Sequence, residues 1–181
     1  KFEVRTPPAF PKLFGSERDW AYRTVPQRGL DGRDEYWPRG KMLGGSSSMN
    51  AQMYVRGNPV DYDGWAEQGN AGWAWEDVQP LFRRSERHAL GPTEHHGAHG
   101  PAHVEPLRDP NPLTLAAVEA AVQSGIPRID DVNGATQDGV ALTQVTQLRG
   151  RRWSAADAFL HPARDRPNLD VMTGAMATRI V

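Results

Sequence analysis

Residues 40–50 are the part of this chain whose backbone and side chains are best suited to hold an anionic ligand, and they read Gly-Lys-Met-Leu-Gly-Gly-Ser-Ser-Ser-Met-Asn. Gly44 and Gly45 have no Cβ, so their amides can approach a ligand closely and can adopt positive φ. Successive amides in such a turn form an anion-binding concavity. Ser46 adds a hydroxyl and Asn50 a carboxamide, and both groups donate and accept hydrogen bonds. These properties favour a site for a dinucleotide.

The same residues also allow a simpler interpretation, which is a flexible surface turn. Clusters of glycine and serine are usually loops. The run matches neither G-x-G-x-x-G nor G-x-x-x-x-G-K-S/T, the two phosphate-binding patterns with well-understood mechanics. Taken alone it favours the turn, so the choice depends on the residues that follow.

Residues 36–65 resemble the first signature of the glucose-methanol-choline (GMC) oxidoreductases, which are flavoenzymes that oxidise alcohols. The residues that match at the family's spacing are Gly40, Leu43, Gly44, Gly45, Ser46, Ser47, Met49, Asn50, Tyr54, Gly57 and Asp63. Similarity continues at 19–22, 26–27 and 152–154 and so covers nearly the whole chain. Within the family, the runs at 46–48, 54–57 and 61–62 are most similar to choline dehydrogenases and related bacterial alcohol dehydrogenases.

The resemblance implies a set of contacts to FAD. Carried over position by position, they are Trp20, Gly40, Lys41, Met42, Leu43, Gly44, Gly45, Ser46, Asn50, Ala51 and Met53. Leu43 and Met53 could equally be plain core residues, because apolar side chains are buried by default. Some family members place a histidine that bonds covalently to the flavin at the position of Met49. Methionine cannot form that bond, so the resemblance implies noncovalent FAD.

The implied fold class is α+β, with parts of two domains interleaved along the chain. Residues 1–57 would belong to the FAD-binding domain, residues 58–167 to a substrate domain built on an antiparallel sheet, and residues 168–181 would return to the FAD-binding domain. The family's opening G-x-G-x-x-G and its later half, which carries the catalytic histidine, are not found in this sequence. We therefore expect an internal fragment and assign no catalytic residue.

Two functions remain as hypotheses. The first is an FAD-dependent oxidoreductase that acts on a small-molecule alcohol, choline or another, with oxidase and dehydrogenase both open; the second is a non-catalytic scaffold or binding module. With 21 basic and 22 acidic residues the net charge is -1, which gives no reason to expect nucleic acid. No apolar run approaches a transmembrane length. We expect a cytoplasmic location, with or without membrane association, and leave a homo-oligomer open.

Helix signals are strongest in three places. Asn58 caps a short helix that reaches Trp65, residues 76–88 form a second, and Asn111 caps a third that Gly125 closes. Ser154 caps a further helix that reaches about residue 164. Prolines at 7, 8 and 11 predict an extended connector, residues 91–110 a surface excursion, residues 140–148 a strand, and residues 169–181 two short strands.

Two groups of side chains allow more than one interpretation. His95, His96, His99 and His103 could suggest a metal site, but their spacing fits no zinc pattern and the chain has no cysteine. A solvated histidine-rich loop is favoured, and no metal site is assigned. Trp65, Trp73 and Trp75 could form a carbohydrate platform, although packing is favoured because aromatic side chains mostly serve cores.

Overall fold

A computed structural model describes residues 2–180 of the chain. The α-helices are α1 Phe2–Arg5, α2 Pro59–Glu67, α3 Trp75–Ser85, α4 Pro112–Gln123 and α5 His161–Ala163. The strands are β1 Tyr22–Arg23, β2 Tyr36–Trp37, β3 Met53–Tyr54, β4 Glu86–His88, β5 Ala102–Val104, β6 Gln144–Val145, β7 Gln147–Leu148 and β8 Arg151–Arg152. Turns of 3₁₀-helix span Pro7–Leu13, Arg28–Leu30 and Gly45–Ser48, and a π-helix spans Ala156–Leu160. Among residues 2–180, no helix combines the length and apolar character needed to cross a bilayer.

The strands pair into small sheets, and the predicted α+β class is confirmed. β1 pairs with β2, β3 with β6 and β7 with β8, all antiparallel, whereas β4 and β5 are parallel. In the β3–β6 pair Met53 lies opposite Val145 and Tyr54 lies opposite Gln144. This pair joins residues 53–54, which follow the glycine-serine run of residues 40–50, to a part of the chain about ninety residues later.

Helices α2 and α4 both begin directly after the asparagine that the sequence predicts as their N-cap. Asn58 Oδ1 accepts from the Val60 amide at 3.1 Å, and the Asp61 carboxylate accepts from the Asn58 amide at 3.1 Å, so α2 has a complete capping box. Asn111 Oδ1 accepts from the Leu113 amide at 2.9 Å in the same way. Each cap satisfies an amide that the first turn leaves without a partner.

Two of the predicted elements are wrong: the connector at residues 7–13 and the C-terminal end of the helix predicted at residues 76–88. Residues 7–13 form a 3₁₀-helix rather than an extended connector, since the φ near -65° that proline imposes suits a helix as well. The second helix ends at Ser85, and residues 86–88 leave it to form β4 alongside β5.

Pro80 is the sixth residue of α3, so it lies beyond the first turn and removes one interior hydrogen bond.

The predicted strands at the C-terminal end are also absent over residues 169–180, while residue 181 lies outside the described part of the chain. These residues are almost all exposed. No strand of residues 2–180 lies beside them to accept their backbone hydrogen bonds, and an isolated strand has no stability of its own.

The predicted surface excursion at 91–110 is wrong in its central part, which packs directly against the end of α3. A Cβ on Gly97 would lie 1.8 Å from the carbonyl oxygen of Arg83, and one on Gly100 would lie 2.1 Å from the carbonyl carbon of Ser85. Only glycine permits such an approach of two backbones. The close contact carries the segment into β5, where Val104 is buried.

A buried network of charged side chains lies under this contact. Glu86 is fully buried; it accepts from Arg56 Nη2 at 2.9 Å and from the Gly97 amide at 2.8 Å, and it pairs with His96 Nδ1 at 2.9 Å. The other ring nitrogen of His96 contacts the Asp131 carboxylate. One of the four clustered histidines is therefore a core residue held between two carboxylates rather than part of a solvated loop.

The two carboxylates decide the charge of this ring. Burial alone would lower the pKa of His96, but its hydrogen bonds to Glu86 and Asp131 outweigh burial and raise it. The His88 ring stacks on His96 with centroids 4.1 Å apart. Burial and the charge of His96 both lower the pKa of His88, so His96 is the more readily protonated of the two rings.

The tryptophans pack against each other in an aromatic cluster between α2 and α3. Tyr62 lies 5.3 Å from Trp65 and 5.6 Å from Trp75, measured between ring centroids. Trp65 and Trp73 are 5.7 Å apart and edge-to-face. Such offset arrangements are the favourable ones for aromatic rings. Trp65 and Trp73 are nevertheless 45% and 51% exposed, so the cluster packs on itself at the surface and is not part of the core.

We expect Gly97→Ala to lower the free energy of unfolding by about 3 kcal/mol, because the new Cβ overlaps the Arg83 carbonyl and the backbone must move. Gly64→Ala is the matched control, since nothing lies within 4 Å of its added Cβ. It should stabilise α2 by about 0.5–1 kcal/mol. Urea unfolding of the protein made from the natural reading frame measures both values, and equal effects of the two substitutions would contradict the packing.

The pH dependence of stability should report on His96. Because its pKa is raised in the folded state, its contribution is complete below the ordinary value of 6.5 and is lost as the pH rises through the raised value. The pKa of Asp131 is lowered by His96 against the effect of burial, so its contribution is present above its ordinary value of 3.8 and is lost in acid.

The test is His96→Gln at pH 6 and at pH 9. We expect the substitution to cost about 3 kcal/mol at pH 6, as for other broken buried ion pairs, and distinctly less at pH 9. His99→Gln is the control because His99 is exposed, and its small effect should not change with pH. A cost of His96→Gln that is the same at both pH values would refute the charged state.

Candidate functional site

The glycine-serine segment, residues 40–50, is anchored at its start by one carboxylate. Asp19 Oδ1 accepts from the amides of Ala21 and Arg39, each at 2.9 Å. Its Oδ2 accepts from the Gly15 amide at 2.9 Å and from the Tyr36 hydroxyl. Burial by itself would raise the pKa of Asp19, but these donors outweigh it and lower the pKa to about 2. The anchor therefore stays ionised throughout the physiological range.

Main-chain pairing then places Trp20 beside the segment. The Trp20 amide donates to the Arg39 carbonyl at 2.9 Å and the Lys41 amide donates to the Arg18 carbonyl at 2.7 Å. Lys41 Nζ consequently lies 4.7 Å from the Trp20 ring centroid, and that ring stacks on Tyr22. A cation on an aromatic face is a favourable contact. The structure thus places Trp20, one of the predicted site residues, next to Lys41, another of them.

Glycine is required at two positions of the segment by close approach and at two by backbone conformation. A Cβ on Gly40 would lie 2.1 Å from the Gly45 carbonyl oxygen, and one on Gly44 would lie 2.4 Å from Ser48 Oγ. Gly44 and Gly45 have φ values of 87° and 55°, where residues with a Cβ are strained. Nothing lies within 4 Å of a Cβ on Gly45, so this glycine faces open space.

Several backbone amides of the segment are left available. Ser47 Oγ donates to the Gly44 carbonyl at 2.6 Å and Ser48 Oγ donates to the Leu43 carbonyl at 2.9 Å. The amides of Leu43, Gly44 and Ser46 donate to no other residue in the described part of the chain. Folded proteins seldom leave backbone donors without any partner, whether protein, water or ligand. Amides on a left-handed glycine turn can bind an anion when they have no other partner.

Asn50 adds one side-chain donor to these amides. Its Oδ1 accepts from the Gln52 amide at 3.0 Å and from Arg152 Nη1 at 2.9 Å. Both neighbours are donors, so the atom that they contact must be the oxygen. Asn50 is exposed, and its Nδ2 makes no hydrogen bond to another described residue.

The segment continues with alternating exposure. Gln52 is buried with φ at 67°, and its carbonyl accepts from the Thr146 amide at 2.8 Å. This conformation turns Ala51 and Met53 outward, and Met53 is 64% exposed. Leu43 is 44% exposed. Leu43 and Met53 are therefore not core residues, the role that the sequence leaves open for them beside contact with FAD.

Three residues that hold this arrangement were missed as site residues. They are Asp19, Gln52 and Arg152, and no local sequence pattern assigns them a role. Asp19 and Arg152 bond to residues distant in sequence, and Gln52 acts through its positive φ and its bond to Thr146. Asp19 and Arg152 do fall within the short runs of similarity outside the signature. Those runs were the one signal that could have found them.

Three comparisons identify the family to which the chain belongs. The family model described as GMC oxidoreductase matches residues 16–181. The chain is 45% identical to an alcohol dehydrogenase (acceptor) of Pseudomonas putida and 45% identical to the mitochondrial choline dehydrogenase of Homo sapiens; each match covers 90% of the chain, and 30% and 27% of the two relatives. The structure of pyridoxine 4-oxidase from Mesorbium loti is 38% identical with a TM-score of 0.89, over 96% of the chain and 35% of that protein. The chain spans about a third or less of the length of these relatives, and it belongs to the GMC oxidoreductase family.

Proposed function

We propose that the chain supplies part of the FAD site of a flavin-dependent oxidoreductase that acts on alcohols. The observation that carries this proposal is the set of free donors at 43–50, formed by the Leu43, Gly44 and Ser46 amides and Asn50 Nδ2. The proposed contacts to FAD are Trp20, Gly40, Lys41, Met42, Leu43, Gly44, Gly45, Ser46, Asn50, Ala51 and Met53.

The chemistry of these groups fits a flavin dinucleotide. Free amides and the Lys41 ammonium suit its anionic and carbonyl oxygens. The exposed side chains of Leu43 and Met53 suit an apolar ring face, which would cover them. Gly45 has open space on its Cβ side, so a ligand can come close to the backbone there.

Bound FAD would supply the redox chemistry, taking the hydride that leaves the alcohol carbon. The residues of this chain would bind and orient the cofactor through the donors of 43–50 and would exclude water through the apolar groups beside them. A base must take the hydroxyl proton as the hydride leaves, so that the alcohol loses two electrons and two protons and becomes a carbonyl. We assign that base to no residue of this chain.

FAD would be held without a covalent bond. Met49 stands where some family members carry a flavin-linked histidine, and its thioether is not a nucleophile of that kind. Its side chain is also 2% exposed and so is buried behind the segment.

The domain division is part of the same proposal. Residues 1–57 and 168–181 would belong to the FAD-binding domain and residues 58–167 to the substrate domain. The β3–β6 pair would then join the two domains, since β3 ends before residue 58 and β6 lies after it. A cytoplasmic location remains a prediction of the sequence.

The relatives indicate the class of substrate. Two are named for the oxidation of an alcohol and of choline, and one solved structure is an oxidase of pyridoxine. We infer a small alcohol as the substrate, with choline as the first candidate. The choice of oxygen or another acceptor is left to experiment.

FAD binding is tested with the protein made from the complete natural reading frame. After reconstitution with FAD and desalting, the wild type should keep the absorption bands of a bound flavin. Asn50→Ala should weaken FAD binding about tenfold because one hydrogen bond to the cofactor is lost. Gln123→Ala is the control, since Gln123 is an exposed carboxamide at the end of α4. Equal affinities for the two variants would contradict the proposed role of Asn50.

Alcohol oxidation is tested by anaerobic reduction of the bound flavin. Choline, a series of primary alcohols and pyridoxine are each mixed with the reconstituted protein, and the loss of flavin absorbance is followed. We expect rapid bleaching with at least one of them and formation of the matching aldehyde. A protein that retains FAD but is reduced by none of these alcohols would favour the binding module without catalysis.

A further inference from the structure

Arg152 is an unusual cation because it is buried and has no carboxylate partner among residues 2–180. It is 4% exposed, and its described acceptors are the Val4 carbonyl at 2.8 Å, the Ser47 carbonyl at 3.0 Å and Asn50 Oδ1 at 2.9 Å. Its Nη2 is buried and makes no hydrogen bond to another residue of the described part of the chain. Burial lowers the pKa of Arg152 to about 10, so it remains charged at neutral pH.

Such a charge is costly to bury, and replacing it by an apolar side chain would often stabilise a protein. Two of its three acceptors lie in the glycine-serine segment. Ala155, which follows shortly after Arg152 in the chain, adds a third link to that segment, because its amide donates to Ser47 Oγ at 2.9 Å. The buried guanidinium therefore destabilises the fold by its desolvation but holds residues 47–50 in place by its hydrogen bonds.

The effect on Asn50 is specific. Arg152 and the Gln52 amide together occupy both acceptor positions of Oδ1. The carboxamide cannot rotate without losing both bonds, one of them to a charged donor. Nδ2 is thereby left as its single free hydrogen-bonding group, on an exposed residue. A positive charge on the oxygen side also polarises the amide and makes Nδ2 a better donor.

We propose that Arg152 is a positioning residue of the FAD site, which fixes the Asn50 carboxamide so that Nδ2 donates to the cofactor. This inference rests on the proposed function. It assigns Arg152 no contact with FAD or substrate and makes its effect depend on Asn50.

A double-mutant cycle on the complete protein tests this dependence. The FAD dissociation constant is measured by titrating the apoprotein, and Tm of each apoprotein is measured alongside. Arg152→Met and Asn50→Ala should each raise the dissociation constant about tenfold, the loss of one good hydrogen bond. The double variant should bind no more weakly than Asn50→Ala alone, because Arg152 has then nothing left to position.

The matched control is Arg151→Met. Arg151 is the neighbouring arginine on β8 and is exposed, so its replacement should leave the dissociation constant within about twofold of the wild type. Arg152→Lys keeps the charge and one donor and should restore part of the affinity. If Arg152→Met does not fold, the same cycle is run with Arg152→Lys and Asn50→Ala.

The outcomes separate this inference from the proposed function. Additive effects of Arg152→Met and Asn50→Ala, or a lowered Tm with an unchanged dissociation constant, would show a structural role only and would overturn the inference while the FAD site stands. A wild type that binds no FAD would overturn both. Non-additive effects with partial rescue by lysine would support the positioning role.

Discussion

A carboxylate without access to solvent sets the arrangement of most of this chain. Glu86 can be ionised in the core only if protein donors replace water around it. Arg56, His96 and the Gly97 amide supply those donors, and they come from two segments that are both distant in sequence from Glu86. The exit from β3, the end of α3 and the loop before β5 must therefore meet at one point. His96 extends the same requirement to Asp131 and so to the segment that leads into β6.

The glycine-serine segment is held by a different use of charge. Arg152 is buried like Glu86, but it is bonded to carbonyl and carboxamide oxygens in place of an opposite charge. Asp19 anchors the entrance of the segment and Arg152 holds its exit, with the left-handed glycines between them. Among residues 2–180, the Leu43, Gly44 and Ser47 carbonyls of the segment accept hydrogen bonds, whereas its Leu43, Gly44 and Ser46 amides donate none.

The features predicted from the sequence are those that depend on near neighbours. Asn58 and Asn111 cap helices through bonds to residues two positions away, and the glycine turn of 44–45 follows from residue type. Features set by distant partners were missed. Residues 86–88 leave the helical pattern because β5 is beside them, and the clustered histidines conceal a core residue because its partners lie 10 and 35 positions away. Arg152 meets Asn50 at a separation of 102, which no local pattern reveals.

That last separation has a consequence for how the chain matures on the ribosome. Residues 40–50 emerge long before the arginine and the strand that hold them, since Thr146 bonds to Gln52 at a separation of 94. At 5–20 residues per second, synthesis of the intervening chain takes roughly 5–20 s. During this interval residues 40–50 have been synthesised, but Arg152 and Thr146, which hold them in the folded chain, have not. Closing a loop of this length also costs conformational entropy before the long-range contacts form, which makes the step slow. Binding of the proposed cofactor by residues 40–50 would thus come late in biogenesis, after residues 146 and 152 have been translated.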